Sequence, residues 1–257
     1  MGTSPVWATQ FLDVLSAKLD EIRSRELPSI ARAADALADA LAAGGIIYVF
    51  GCGHSAALSM DLFYRAGGLM LVHPIFDERI ILNHRPVTET SEWEQKEGWI
   101  AEVFAASGAR KGDAIIIFST SGRNGAPIDM ALAAKAAGLT VIAVTSRVYA
   151  EVAPSRHSSG KRLHDVADVV IDNHVDVGDA SVSLPSIAGQ EQAPAQRVGP
   201  TSTALGSAVA QALIVETMAG LIGRGQTPPV YVSANIPGGP ERNEETLSRY
   251  RDRIRFM

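Results

Sequence analysis

The chain has 257 residues, of which 46% are hydrophobic, 6% aromatic and 20% charged, with a formal net charge of -5. Such a composition describes a globular protein with a sizeable core, and its acidity argues against nucleic acid as a partner. Cys52 is the only cysteine, and neither a signal peptide nor an uncharged apolar span of 18 residues is read. The expectation is a cytoplasmic protein with no disulfide and no membrane partner.

From residue 8 to 43 the sequence is helical. Phe11, Leu15, Leu19 and Ile22 recur at steps of four and three, while Asp13, Lys18, Asp20 and Arg23 take other faces. Pro28 interrupts, Ile30, Ala34, Leu37 and Leu41 resume the stripe, and Gly44-Gly45 ends it. This N-terminal arm either covers the core or meets a partner subunit.

A first strand at residues 46–50 runs into Gly51-Cys52-Gly53-His54-Ser55-Ala56 and a helix to about residue 65. Gly51, Gly53 and Ala56 satisfy the dinucleotide fingerprint G-x-G-x-x-A, but the acidic residue it requires would be Asp77, which comes late. The other reading is a smaller ligand approached closely by the glycine backbone, with Ser55 offering its hydroxyl. A second strand, near residues 69–76, is broken by Pro74.

Residues 77–98 are acidic and contain Trp93. Capping residues around Ser91 predict a helix from there to Ala106, with Glu94 and Glu97 three apart and therefore on one face. The ordinary meaning of such a run is a solvated face.

Ile115-Ile116-Ile117-Phe118 reads as a strand buried on both sides of a parallel sheet. It changes abruptly to Ser119-Thr120-Ser121-Gly122-Arg123-Asn124-Gly125, followed by an alanine-rich helix to Gly138. Strand, polar turn and helix start make an anion site, because the first helical N–H groups lack partners and the dipole favours negative charge. A phosphate monoester, whose oxygens accept hydrogen bonds, suits three hydroxyls and an Asn. The plain alternative is an ordinary loop and helix cap.

A strand at residues 139–145 leads through a basic, Ser-rich loop at 147–162 to another at 166–172. Residues 177–200 lack periodicity, which suggests a lid, a binding loop or a subunit contact. Thr201-Ser202-Thr203 then open an apolar helix that carries Glu216 and stops near Gly223. Five strands separated by helices predict a three-layer, doubly wound, five-stranded parallel α/β sheet. The expected division is an arm at 1–44, a ligand-binding domain at 45–225 and a tail at 226–257. In such sheets the ligand sits beyond the carboxyl ends of strands, so Ser55 and Ser119 to Asn124 can share one pocket.

The motifs Gly51-Cys52-Gly53-His54-Ser55-Ala56, Ser119-Thr120-Ser121-Gly122-Arg123-Asn124 and Thr201-Ser202-Thr203-Ala204-Leu205-Gly206 resemble those of the sugar isomerase (SIS) domain family. The likeness runs from about residue 40 to 225, and residues 199–208 are similar to the helix start of the N-acetylmuramic acid 6-phosphate etherase branch. The resemblance implies a flavodoxin-like sheet that binds phosphosugars, as a homodimer or higher homo-oligomer. No spacing of His and Cys suits a zinc site, and neither metal nor cofactor is expected. It gives Ser119, Ser121 and Asn124 to the phosphate, with the Thr120 and Gly122 backbone. Gly53, Ser55, Thr201 and Ser202 join as further substrate contacts.

SIS enzymes begin by taking the proton beside an open-chain carbonyl, which needs a carboxylate base. The resemblance offers Glu94 and Glu97, with Glu216 as a third candidate and His54 as a proton carrier or carbonyl polariser. Isomerase, lyase and dehydratase outcomes stay open, with a lean to an amino-sugar 6-phosphate. A non-catalytic phosphosugar sensor is the competing class, and an NAD(P)-dependent oxidoreductase is the third.

Overall fold

The computed structural model describes residues 5–186, 195–254 and 256. Five parallel strands form its sheet: β1 (Ile47–Gly51), β2 (Val72–Pro74), β3 (Ala114–Phe118), β4 (Thr140–Thr145) and β5 (Val169–Asp172), in the order β2-β1-β3-β4-β5. The chain steps one way from β1 to β2 and the other way from β3 to β5, so the topological switch point lies between β1 and β3. Ile115, Ile116 and Ile117 are buried in the middle of the sheet, as their unbroken β-branched run requires. Pro74 sits in the edge strand, where an absent N–H costs least. The expected α/β architecture is the observed one.

The expected arm divides physically. Helix α1 (Val6–Arg25) buries only Ile22 among its described residues, whereas α2 (Leu27–Ala42) buries Ile30, Ala33, Leu37 and Leu41 in the main core. Helix α2 packs on α9 (Ser202–Gly223), which by length and composition alone could cross a membrane. Leu205, Val209, Leu213 and Leu221 of α9 are buried in the same core. Beyond α9, Val230 bridges Leu69 and α10 (Gly239–Leu247) buries Leu247.

One predicted element is corrected. The single helix expected from about residue 91 to 106 is two helices, α4 (Glu89–Gln95) and α5 (Ile100–Ala106). Lys96 is extended and Gly98 has φ +87°, a left-handed backbone that suits glycine. The Gly98 N–H donates to Asp129 Oδ2 at 2.7 Å, and Trp99 Nε1 donates to the Trp93 carbonyl at 2.9 Å. Arg79 caps the corner, its guanidinium carbon 4.2 Å from the Trp99 ring centre.

The aperiodic 177–200 stretch contains a two-stranded antiparallel ribbon, β6 (Val182–Ser183) with β7 (Arg197–Val198). The expectation of a lid, binding loop or subunit contact falls largely on residues 187–194, outside the described residues.

Candidate functional site

Gly51 at the end of β1 pairs in register with Phe118 at the end of β3. The turn after β1 and the polar loop after β3 therefore leave neighbouring strands side by side. They form one wall of a cleft of ≈ 520 Å³, at the switch point where such sheets hold ligands. Gly53, His54 and Ser55 line it from the first turn, and Ser119, Thr120, Ser121 and Asn124 from the second. Glu94 faces them from α4, and Ser202 closes the far side from the start of α9.

The loop after β3 is held from beneath. Ser119 is 5% exposed and its hydroxyl accepts the Gly122 N–H at 3.3 Å. The Thr120 carbonyl accepts from Ser146 N at 2.9 Å and from Thr145 Oγ1 at 3.2 Å. Gly122 turns the chain at φ +58°, and a Cβ there would stand 2.7 Å from Thr145 Oγ1. Gly122 thus shapes the loop and does not line the cleft. The Ser55 and Ser121 hydroxyls make no hydrogen bond among the described residues, so both can donate to an anion in the cleft.

Asn124 precedes α6 (Gly125–Ala136), and its amide nitrogen donates to Glu94 Oε1 at 2.8 Å. This contact depends on Gly125. A Cβ on Gly125 would lie 2.7 Å from the Gln95 carbonyl oxygen, so the start of α6 touches the end of α4 backbone to backbone. Burial pushes the Glu94 carboxyl above its ordinary value, opposed by the Asn124 hydrogen bond and the Arg156 charge. A half-buried carboxylate next to bare hydroxyls is the arrangement expected of a general base.

The other predicted residues go elsewhere. Glu97 falls past the break after α4 and does not share a face with Glu94. It accepts from Ser158 N at 2.8 Å and Ser158 Oγ at 2.6 Å, and those bonds hold its carboxyl below the usual range. Glu216, the third candidate, is exposed on α9 and does not line the cleft. Thr201 is 2% exposed and does not line the cleft. Ser202 does, but its hydroxyl already donates to Asp179 Oδ2 at 2.6 Å. Asp179 Oδ1 also accepts the N–H groups of Thr201 and Ser202, at 2.8 and 3.0 Å. The chain's own carboxylate fills that helix start. Cys52 is buried, and burial followed by the Glu94 charge pushes its thiol well up, which makes it a poor nucleophile.

Asp179, Tyr149 and Arg156 were not singled out from the sequence. Arg156 donates from Nη1 to Asn124 Oδ1 at 3.0 Å, and its backbone N–H donates to the Arg123 carbonyl at 2.8 Å. Arg123 carries a buried Nε without a hydrogen-bond partner. Burial, then the charges of Arg156 and Arg162, push its guanidinium down. None of these three arginines joins a carboxylate in an ion pair among the described residues. Arg123 precedes Asn124 and Arg156 bonds it, so positive charge adjoins a residue of the cleft although no arginine lines the cleft itself. Among the described residues no group of three or more His, Cys, Asp or Glu could hold a metal ion.

Comparison with known proteins agrees with this architecture. Residues 10–146 match the family model described as "SIS domain". A UPF0309 protein of Shouchella clausii is 39% identical over 251 residues, 98% of this chain and 99% of that one. A UPF0309 protein of Streptomyces griseus is 40% identical over 248 residues, 96% of each chain. Among solved structures, a phosphoheptose isomerase from Francisella tularensis superposes with a TM-score of 0.53 at 18% identity. The match covers 84% of this chain and 98% of that one.

Proposed function

The chain belongs to the SIS domain family, and on that premise we propose that it is a phosphosugar enzyme with Glu94 as its base. The observation that carries this reading is the convergence of Ser55, Ser119, Ser121 and Asn124 with the half-buried Glu94 on one cleft. The phosphate takes hydrogen bonds from the Ser55 and Ser121 hydroxyls and from loop N–H groups, and Arg123 and Arg156 add positive charge. Each charge-assisted bond contributes about 1.5–3 kcal/mol. With the phosphate fixed, the sugar extends toward Glu94 and His54, and the fixed geometry itself lowers the barrier.

Glu94 then removes the proton from the carbon beside the open-chain carbonyl, and the electron pair moves onto the carbonyl oxygen as an enediolate. Return of the proton to the adjacent carbon isomerises the sugar. Expulsion of the C3 substituent, which leaves with a proton, is β-elimination. The likeness of residues 199–208 to the etherase branch favours elimination or dehydration of an amino-sugar 6-phosphate. A homo-oligomer, as the resemblance implies, belongs to the same proposal.

Both outcomes share the first step, so the test reads that step alone. The protein is incubated in D₂O with a panel of aldose, ketose and amino-sugar 6-phosphates, and NMR follows deuterium entry beside the carbonyl. The reading predicts entry for at least one sugar, lost in Glu94→Gln. Binding without any exchange would leave a phosphosugar sensor and overturn the enzyme.

A further inference from the structure

No residue of the 153–162 loop lines the cleft, yet Arg156 is joined to the base through one side chain. Asn124 is the intermediate. Its Oδ1 accepts from Arg156 Nη1 at 3.0 Å and its Nδ2 donates to Glu94 Oε1 at 2.8 Å. An amide can be turned either way. With the cation on one side, the oxygen must face Arg156, which leaves the nitrogen for the carboxylate. Turned over, the amide would set its oxygen against Glu94 and its N–H₂ against a guanidinium, two repulsive contacts in place of two bonds.

The loop is itself anchored to the elements around the cleft. Glu97 accepts twice from Ser158. His157 Nε2 lies 3.0 Å from Asp129 Oδ1, and the other Asp129 oxygen accepts the Gly98 N–H that marks the break after α4. Arg156 N–H bonds the Arg123 carbonyl within the loop after β3. Two carboxylates and a histidine outside the cleft thus serve to hold one arginine at its edge. Arg156 is otherwise exposed, so its position depends on these anchors and on the loop's own bonds, among them Ser155 Oγ to the Lys161 carbonyl at 2.6 Å.

We propose that Arg156 is a positioning residue for Glu94, holding the Asn124 amide so that its nitrogen faces the carboxylate, and that the 153–162 loop thereby controls the competence of the base. The other charged or titratable groups lining the cleft around Glu94 are Cys52 and His54 from the turn after β1, Tyr149 from α7 (Arg147–Val152) and Asp179 across the cleft. Among the described residues, Arg156 is the cation whose charge opposes the effect of burial on Glu94. The charges of Arg156 and Arg162 both act on Arg123. The inference rests on the cleft described above, with Glu94 as its base.

The test measures the carboxyl directly. Protein carrying ¹³C-carboxyl glutamate is titrated by NMR, and the Glu94 signal is the one missing from Glu94→Gln. In Arg156→Met the Glu94 midpoint moves up, and in Arg156→Lys it returns toward the wild-type value. Glu97→Gln, which loosens the loop while keeping Arg156, moves it the same way by less. An unchanged midpoint in both Arg156→Met and Arg156→Gln, with folding verified by amide spectra, would overturn the proposal. This readout needs no turnover, so it stands apart from the enzyme reading, which fails on its own if Glu94→Gln leaves exchange intact.

Discussion

The side-chain amide of Asn124 donates to Glu94 across 2.8 Å, and this bond joins the loop after β3 to a carboxylate thirty residues earlier in the chain. It fixes the relative position of the two parts of the cleft that matter most. On the proposed function, one part grips an anion and the other takes a proton. Neither would be useful at the wrong distance, and a displacement of about 1 Å can cost a hundredfold in rate.

Replacement of Glu94 by Gln keeps the shape and the Asn124 contact but removes the base. The exchange rate beside the carbonyl should fall by about 10²–10⁴-fold with phosphosugar affinity within about threefold of wild type. Glu97→Gln should change the rate far less, because Glu97 acts only through the 153–162 loop. Single-turnover exchange measurements on both variants check the ordering.

Glu94 also links stability to pH. Burial raises its folded-state carboxyl above the unfolded value of about 4.3. The folded protein therefore holds this proton more tightly than the unfolded chain, and the resulting stabilisation is complete below the unfolded value. It is lost as pH rises through the raised folded value, leaving a charge-burial cost at neutral pH. Glu94→Gln should consequently melt higher than wild type at pH 7, with the difference shrinking toward pH 4. Calorimetry across that range checks the sign. Such a gain in stability with loss of activity is the usual signature of a functional residue.

Gly125→Ala introduces a Cβ that would stand 2.7 Å from the Gln95 carbonyl oxygen. The obstruction is backbone, so α4 and α6 must separate. The expected cost is about 2 kcal/mol, or a fall in Tm of about 4–8 °C. Exchange activity should fall as well, since separation lengthens the Asn124–Glu94 bond. Thermal melts and the same NMR assay report the two effects together.

Asp179→Ala removes the carboxylate that caps the start of α9. Loss of such a cap costs about 1 kcal/mol. The same change removes a negative charge from the cleft and frees the Ser202 hydroxyl, so inorganic phosphate should bind more tightly. Lower Tm with stronger phosphate binding, measured by calorimetry, is a pair of opposite signs that simple damage would not produce.

The parts of the site readable from sequence are those in which neighbours in the chain are neighbours in space. Ile115 to Asn124 spells out strand, turn and anion loop in one stretch, and the alternation of strands and helices supplies the sheet that places Ser55 beside it. What the sequence hid depends on contacts between distant residues. The break after Gln95 is enforced by Asp129, 31 residues beyond Gly98. Without that bond Glu94 and Glu97 look equivalent. Arg156 meets Asn124 from 32 residues away, and Asp179 reaches Ser202 from 23. No local spacing announces either contact. The filling of the α9 start by Asp179 likewise cannot be read from Thr201-Ser202-Thr203, which looks as open as the loop after β3.

Isothermal titration of wild type and Ser121→Asp with hexose and amino-sugar 6-phosphates, beside the same sugars without phosphate, tests the account most directly. The Ser121 hydroxyl makes no hydrogen bond among the described residues and Ser121 lines the cleft, so an aspartate there leaves the fold intact and meets the phosphate with a like charge. The predicted result is saturable binding of at least one phosphosugar to wild type, none of the unphosphorylated sugars, and no binding to Ser121→Asp. Equal binding of phosphorylated and unphosphorylated sugars, or unchanged phosphosugar binding in Ser121→Asp, would contradict it.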